Sequence, residues 1–278
     1  MHPRPAGIPS VALHPLVNIG IRAARRAGNV IFRSLNRLES LEVSAKGRND
    51  FVTDVDRNAE QEIIETIRRA YPDHGFLAEE SGQSAGKSDE FVWIIDPLDG
   101  TTNFLHGFPQ FCVSIAVQHR GRIEHAVIYD PMRQELFTAS IGQGAQVDDK
   151  KLRVSKSKGL EGALIGTGFP YRANLKWLDS YLGMFKAVAL ATAGLRRPGS
   201  AALDLAWVAA GRTDAFFELG LSPWDTAAGS LLVTEAGGRI GTLTGGEYLL
   251  GGDVVAGSPK TYEALIALLA PHVPEDLR

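Results

Sequence analysis

In the stretch Phe91-Val-Trp-Ile-Ile-Asp-Pro-Leu-Asp-Gly-Thr-Thr-Asn-Phe104, five apolar residues run into two aspartates and a Gly-Thr pair. Phe91 to Ile95 predict a short buried strand, because an apolar run with no polar alternation fits a strand covered on both faces. Asp96 and Asp99 follow, with Pro97 expected to stiffen a turn and Gly100 to allow close backbone approach. Carboxylates spaced this way at a strand end can share a hard cation. The N–H groups of Gly100, Thr101 and Thr102, at an expected helix start, can face an anion. The stretch reads as a magnesium-and-phosphate site that needs further ligands from elsewhere.

Upstream, Gly75-Phe-Leu-Ala-Glu-Glu-Ser81 predicts a second short strand ending in acids, and adjacent strand ends would bring Glu79 beside Asp96. Before it, Lys46-Gly-Arg-Asn-Asp-Phe-Val-Thr-Asp-Val-Asp56 is polar and turn-rich. Thr53 or Asp54 is an expected N-cap for a helix carrying Ile63, Ile64 and Ile67, which places Asp56 in its first turn. Tyr71-Pro72 should end that helix. Leu16 to Leu35 has helical apolar spacing with Arg22, Arg25, Arg26 and Arg33 mostly on the other side, a solvated basic face.

Downstream, Cys112–Gln118, Ile123–Tyr129 and Glu135–Ala139 predict an antiparallel meander broken by turn residues. Lys150 to Lys158 is basic and marks an expected boundary between parts 14–150 and 151–278. The second part alternates strands and helices: a strand over Ala163–Gly168, a helix through Leu175 to Val188, and a small-residue helix from Ala201 to Ala210 with Gly211 after it. A strand over Asp214–Leu219 carries Glu218. Ser222-Pro223 should then start a helix with Asp225 in its first turn, and Gly237 should stop it. Ser258-Pro259 should start a final helix.

Composition narrows the function classes. The chain has 278 residues, 44% hydrophobic and 22% charged, and a net charge of −3, so no global basic field points to nucleic acid. One cysteine, Cys112, excludes an internal disulfide and reads as a small buried hydrophobe. A reducing, cytoplasmic setting is expected. Residues 1–13 hold three prolines and no apolar core, so they are expected to be a mobile extension rather than a signal peptide. No apolar run is long enough to span a membrane. The seven histidines show no metal-ligand spacing; His106, close behind the aspartates, is expected at the surface or beside the site.

Three stretches together carry a family likeness. Asp96-Pro-Leu-Asp-Gly-Thr101, Trp224-Asp-Thr-Ala-Ala-Gly229 and the acidic Glu79-Glu80-Ser81 resemble, in order and spacing, the signatures of the inositol monophosphatase superfamily, and within it the bacterial SuhB-type branch. Lys46 with the segment to Asp56, Arg153-Val-Ser-Lys156, Gly166-Thr-Gly-Phe-Pro170 and Gly199-Ser-Ala-Ala-Leu-Asp204 extend the likeness from about His14 to the C-terminus. The resemblance implies an α+β / α/β fold, an αβαβα five-layered sandwich, and a homodimer. It implies a lithium-sensitive Mg²⁺-dependent phosphomonoesterase with roughly two or three ions per site.

Carried over by position, Glu79, Asp96 and the Leu98 carbonyl would hold the first ion, and Asp96, Asp99 and Asp225 the second. A weaker third would sit on Glu79 through water. Thr101 and Asp56 would orient the attacking water. Asp99, Gly100, Thr101, Asp225, Lys46, Arg196, Ser200, Ala201 and Glu218 would contact a phosphorylated polyol. With no Cys, His or Ser nucleophile in any motif, direct attack by a metal-activated water is the simplest expected chemistry. Myo-inositol monophosphate is the expected substrate. Fructose-1,6-bisphosphate, histidinol phosphate or a 3′-phosphonucleotide are alternatives. A transcription-antitermination role with a transcription-factor or RNA polymerase partner is implied by analogy with the SuhB-type branch.

Overall fold

The computed structural model describes residues 13–40, 43–47, 50–170 and 172–278, with the side chains of 39–52 and 171–173 left aside. The expected N-terminal extension and the side chain of Lys46 therefore lie outside the described residues.

Helix α1 spans Pro15–Ser34, and the apolar stripe read from the sequence is its buried face. Strands β1 (Val43–Gly47) and β2 (Asp50–Thr53) form a separate hairpin that leads into α2 (Asp54–Ala70). Thr53 is the N-cap. Its backbone N–H and Asp56 Oδ2 lie 2.8 Å apart in one arm of a capping box. β3 (Gly75–Ala78), β4 (Gly82–Ser84) and β5 (Phe91–Asp99) follow, then the short α3 (Thr101–Leu105). The meander is β6 (Cys112–His119), β7 (Arg122–Asp130), β8 (Glu135–Ser140), β9 (Gly144–Val147) and β10 (Lys150–Lys151). These strands form one sheet in the order β10-β9-β8-β7-β6-β5-β3-β4, antiparallel except where β3 runs parallel to β5.

The second sheet has the order β12-β11-β13-β15-β14, built from β11 (Leu164–Thr167), β12 (Gly194–Arg196), β13 (Ala215–Leu221), β14 (Arg239–Gly241) and β15 (Gly252–Gly257). Its helices are α4 (Leu178–Ala191), α5 (Ala201–Ala209), α6 (Pro223–Glu235) and α7 (Pro259–Leu269).

Three apolar clusters show how the layers stack. Helices α1 and α2 cover one face of the large sheet, contributing Ala23, Ile31, Ile63 and Ile67 against Trp93, Ile95, Val113 and Ile115. Helices α5 and α6 fill the space between the sheets, where Ile94 and Phe137 meet Leu205, Leu232 and Phe216. Helices α4 and α7 cover the far face of the second sheet through Tyr181, Val188, Leu265 and Phe217. The order is helix, sheet, helix, sheet, helix. Neighbouring residues Ile94 and Ile95 point into different clusters, which is why the strand reads as an unbroken apolar run.

One element departs from its expected form. The strand does not end at Ile95: β5 continues through Asp96-Pro97-Leu98 to Asp99. Pro97 lies in a bulge rather than a turn. Asp96 pairs with Ser114 and Asp99 with Cys112, so three steps on β5 match two on β6. A residue without an N–H is tolerated where the ladder is already interrupted, and the bulge turns the strand end so that both aspartates face one side.

At the N-terminus of α1, the His14 ring stacks on His125 with centroids 4.2 Å apart. His125 Nδ1 lies 2.9 Å from Ser140 Oγ. Burial, and the nearby His14, push the His125 pKa down to about 4. Between pH 6.5 and 4 the unfolded chain thus binds a proton that the folded chain resists, so this residue lowers stability as pH falls. His125→Asn should reduce the acid-side loss of stability relative to the wild type in denaturant titrations across that window. An unchanged difference between pH 7 and pH 4 would refute this role.

Candidate metal and phosphate site

The site forms where the ends of β3, β5, β13 and the start of α6 converge. Asp96, Asp99 and Asp225 each place a carboxylate oxygen within 4.8 Å of the others. Asp225 reaches this point as the third residue of α6, where it also accepts the Ser222 N–H at 2.6 Å. Its capping position fixes its direction. Glu79 follows β3, and its N–H donates to Ile95 O at 3.1 Å. That bond ties the strand end to β5 and leaves the Glu79 carboxyl beside Asp96.

Each carboxylate is anchored from behind. Asp96 Oδ1 accepts the Leu98 N–H at 3.0 Å. Asp99 Oδ2 accepts Ser200 Oγ and Ala202 N–H, both at 2.7 Å, so the start of α5 holds it from the far side. Cys112 is fully buried, with Sγ 3.9 Å from the same oxygen. Gly100 adopts φ of 99°, and a Cβ there would lie 2.9 Å from Gln110 O and 3.2 Å from Gly199 O. The glycine is required by this packing and by its left-handed backbone.

Thr101 Oγ1 lies 2.9 Å from Asp56 Oδ1 and 3.1 Å from Leu98 O. Asp56 is fully buried, and its other oxygen is occupied by Thr53. This arrangement fixes the Thr101 hydroxyl between a carboxylate of α2 and the carbonyl of Leu98.

The electrostatics favour a cation. Burial pushes the Asp96 pKa well up, and Glu79, Asp99 and Asp225 push it further. Burial raises Asp99 to about 6 against the pull of its Ser200 and Ala202 hydrogen bonds. Buried carboxylates that repel one another are costly until a positive charge enters. The donors are all hard oxygens and lack sulfur or imidazole. They suit a hard divalent ion, which Asp96, Asp99 and Asp225 could hold with Glu79 and the Leu98 carbonyl at hand.

A cavity of about 390 Å³ opens onto these groups and is also lined by Gly168, Phe169, Arg197, Ala201 and Glu218. Glu218 is only 5% exposed, and burial lifts its pKa to about 8. No hydrogen bond from the protein reaches it among the described residues. Gly168 makes room for it, because a Cβ at Gly168 would lie 2.0 Å from Glu218 Oε1.

Two expected substrate contacts, Arg196 and Ser200, fall elsewhere. Arg196 does not line this cavity; its neighbour Arg197 does. Arg196 instead lines a separate surface hollow with Arg133, Trp207 and Arg212. Arg197 also lines that hollow and so spans both, whereas Arg196, the last residue of β12, reaches only the hollow. Ser200 is 2% exposed, and its hydroxyl is spent on Asp99 rather than facing the cavity. His106 is exposed at the end of α3 and does not line the cavity. The sequence reading missed Gly168, Arg197 and Glu60. Glu60 alone left a usable trace, as an acid in the apolar row of α2 one turn after Asp56.

Fold and site together define a layered α+β protein of the phosphatase class. The chain belongs to the inositol monophosphatase family, whose sequence model matches residues 12–274. Among curated proteins it is similar to the Nus factor SuhB of Pseudomonas aeruginosa, at 54% identity over 96% of this chain and 100% of that one. Among solved structures it is similar to the extragenic suppressor protein SuhB from Bartonella henselae, with 42% identity and a TM-score of 0.90 over 94% of this chain and 100% of that one. An inositol monophosphatase from Anabaena shares 37% identity and a TM-score of 0.82, covering 94% of this chain and 97% of that one. Among the described residues no helix is long and apolar enough to cross a membrane.

Proposed function

We propose that this chain is a Mg²⁺-dependent phosphomonoesterase that hydrolyses myo-inositol monophosphate to inositol and phosphate in the cytoplasm, as a homodimer. The observation that carries the reading is the convergence of Asp96, Asp99 and Asp225 on one point of a polar cavity with Glu79 alongside. Divalent cations, when bound there, neutralise a phosphate dianion and make water nucleophilic at neutral pH. The remaining work falls to the chain's own groups. Thr101 accepts a hydrogen bond from the attacking water and donates its own hydroxyl hydrogen to Asp56, an arrangement that holds the water's lone pair toward phosphorus. The N-terminus of α6 points its positive end at the same place, beside Asp225.

The alcohol end of the ester meets Ala201 and Glu218. A buried carboxyl group that takes no hydrogen bond from the protein among the described residues is suited to take the hydroxyls of a polyol, and that favours inositol phosphate over a plain aryl phosphate. Glu218→Ala should raise KM for inositol monophosphate by about tenfold or more, while KM for a small aryl phosphate changes little. Equal effects on both would remove Glu218 from recognition. The direct test of the substrate is a panel of inositol monophosphate, fructose-1,6-bisphosphate, histidinol phosphate and a 3′-phosphonucleotide, read by released phosphate with and without Mg²⁺. A different best substrate would replace the inositol reading. No Mg²⁺-dependent release from any ester would sink the enzymatic reading.

A second reading rests on the Nus factor name of the 54%-identical relative: a transcription-antitermination role with a protein partner. Of the basic residues on α1, Arg26 is paired with Glu62 and Arg25 lies over the Tyr129 ring. Binding of transcription factors retained by a variant that takes up no metal would favour this role, and loss of binding in step with metal would count against its independence.

A further inference from the structure

Glu60 lies on α2 and is only 4% exposed, yet among the described residues it forms no ion pair. Its two carboxylate oxygens are taken by two backbone amides. Oε2 accepts the Glu80 N–H at 2.8 Å and Oε1 accepts the Ser81 N–H at 2.9 Å. Those amides belong to the two residues that directly follow Glu79, in the turn between β3 and β4. A buried carboxylate on two amides makes charge-assisted hydrogen bonds of fixed direction. The turn is thus clamped on both sides: Glu79 N–H donates to Ile95 O, and the next two N–H groups donate to Glu60.

The same helix face carries Asp56 one turn earlier, and Asp56 holds Thr101. Helix α2 therefore reaches both strand-end loops of the site, the β5 loop through Asp56 and the β3 turn through Glu60. An acid buried here at a desolvation cost has to be matched by what it holds.

We propose that Glu60 is a positioning residue for the cation site, which aims the Glu79 carboxylate by fixing the turn behind it. Groups of this kind stand behind ligands rather than touching the ion, and their loss weakens metal binding without removing a ligand. The proposal rests on the cation reading of the site, and the experiment separates the two.

The test is calorimetric titration of MgCl₂ into the metal-free full-length chain, with no substrate present. Glu60→Gln keeps the shape but sets an amide NH₂ against one of the two backbone donors. It should weaken Mg²⁺ binding by about 10- to 100-fold. Glu60→Asp should fall between it and the wild type, and Glu65→Ala, on the exposed side of α2, should bind as the wild type does. Phosphate release by Glu60→Gln should recover most of its kcat at saturating Mg²⁺, which a collapsed site would not do. Wild-type Mg²⁺ affinity in Glu60→Gln, with or without lowered melting temperature, overturns the proposal. Should Glu60→Gln fail to fold, amide hydrogen exchange on the wild type decides: protected Glu80 and Ser81 amides without Mg²⁺ support the clamp, and freely exchanging ones overturn it. A wild-type chain that takes up no Mg²⁺ overturns the cation reading together with this inference.

Discussion

Asp96→Asn should abolish phosphate release, by at least about 10²-fold, and at the same time make the metal-free protein more stable. The two effects have one cause. Asp96 is 2% exposed and sits among Glu79, Asp99 and Asp225, so its charge is opposed first by burial and then by its neighbours. Asparagine has the same outline and removes that charge, while its carbonyl oxygen can still accept the Leu98 N–H that Asp96 accepts at 3.0 Å. The expected gain in metal-free stability is about 0.5–2 kcal/mol, the usual range for a single stabilising substitution. Differential scanning fluorimetry with and without Mg²⁺ checks it: the wild type should gain melting temperature from Mg²⁺, and the variant should start higher and gain little. A variant that melts below the metal-free wild type would mean that Asp96 is structural. Normal phosphate release would end the assignment of the site.

The same electrostatics set a pH dependence. Asp99 and Glu218 are lifted by burial to about 6 and about 8, so above pH 4 these two groups hold more protons in the folded metal-free chain than in the unfolded one. The stability they contribute therefore falls as pH rises toward 8, opposite in sign to the His125 contribution between pH 4 and 6.5. Mg²⁺ should flatten the Asp99 part of that slope, since a bound cation replaces the proton.

How much of this was legible from residues alone depends on whether a signal was local. The caps were local: Thr53 before α2, Ser222-Pro223 before α6 and Gly211 after α5, with φ of 66°, sit where their chemistry demands. The long apolar runs were local too, and they mark strands buried on both faces, as in Phe91 to Ile95 and Ala215 to Phe217. The bulge at Pro97 was not legible, because it is a mismatch with β6 and exists only in the pairing. The meeting of Glu79 with Asp96 was expected from two strands that both end in acids, but the parallel pairing of β3 with β5, with β4 on the outer edge between them in sequence, exists only in the sheet. Arg196 and Arg197 are chemically alike, and no local signal tells which one meets the cavity. Glu60 acts through backbone amides, which carry no side-chain signature in the residues they belong to.

Thr101→Val should separate turnover from folding. The substitution keeps the side-chain outline and deletes one hydroxyl, whose contacts are Asp56 Oδ1 at 2.9 Å and Leu98 O at 3.1 Å. Loss of a group that orients a proton transfer costs about 10²–10⁴-fold in kcat. KM and the calorimetric Mg²⁺ affinity should stay near wild type, since no carboxylate is touched. Asp56→Asn should show the same drop in kcat and a second defect besides. Asp56 Oδ2 also accepts the Thr53 N–H at 2.8 Å and faces Thr53 Oγ1 at 2.5 Å, in the capping box that starts α2. Weakening that box costs about 1 kcal/mol of stability and should lower the melting temperature in Asp56→Asn alone. Because the two groups act as one unit on one water, the double variant should be no slower than the slower single variant. Multiplicative losses in the double variant would show independent roles for Thr101 and Asp56. Wild-type kcat in Thr101→Val would leave the hydroxyl with no part in catalysis and would confine Asp56 to holding the end of α2.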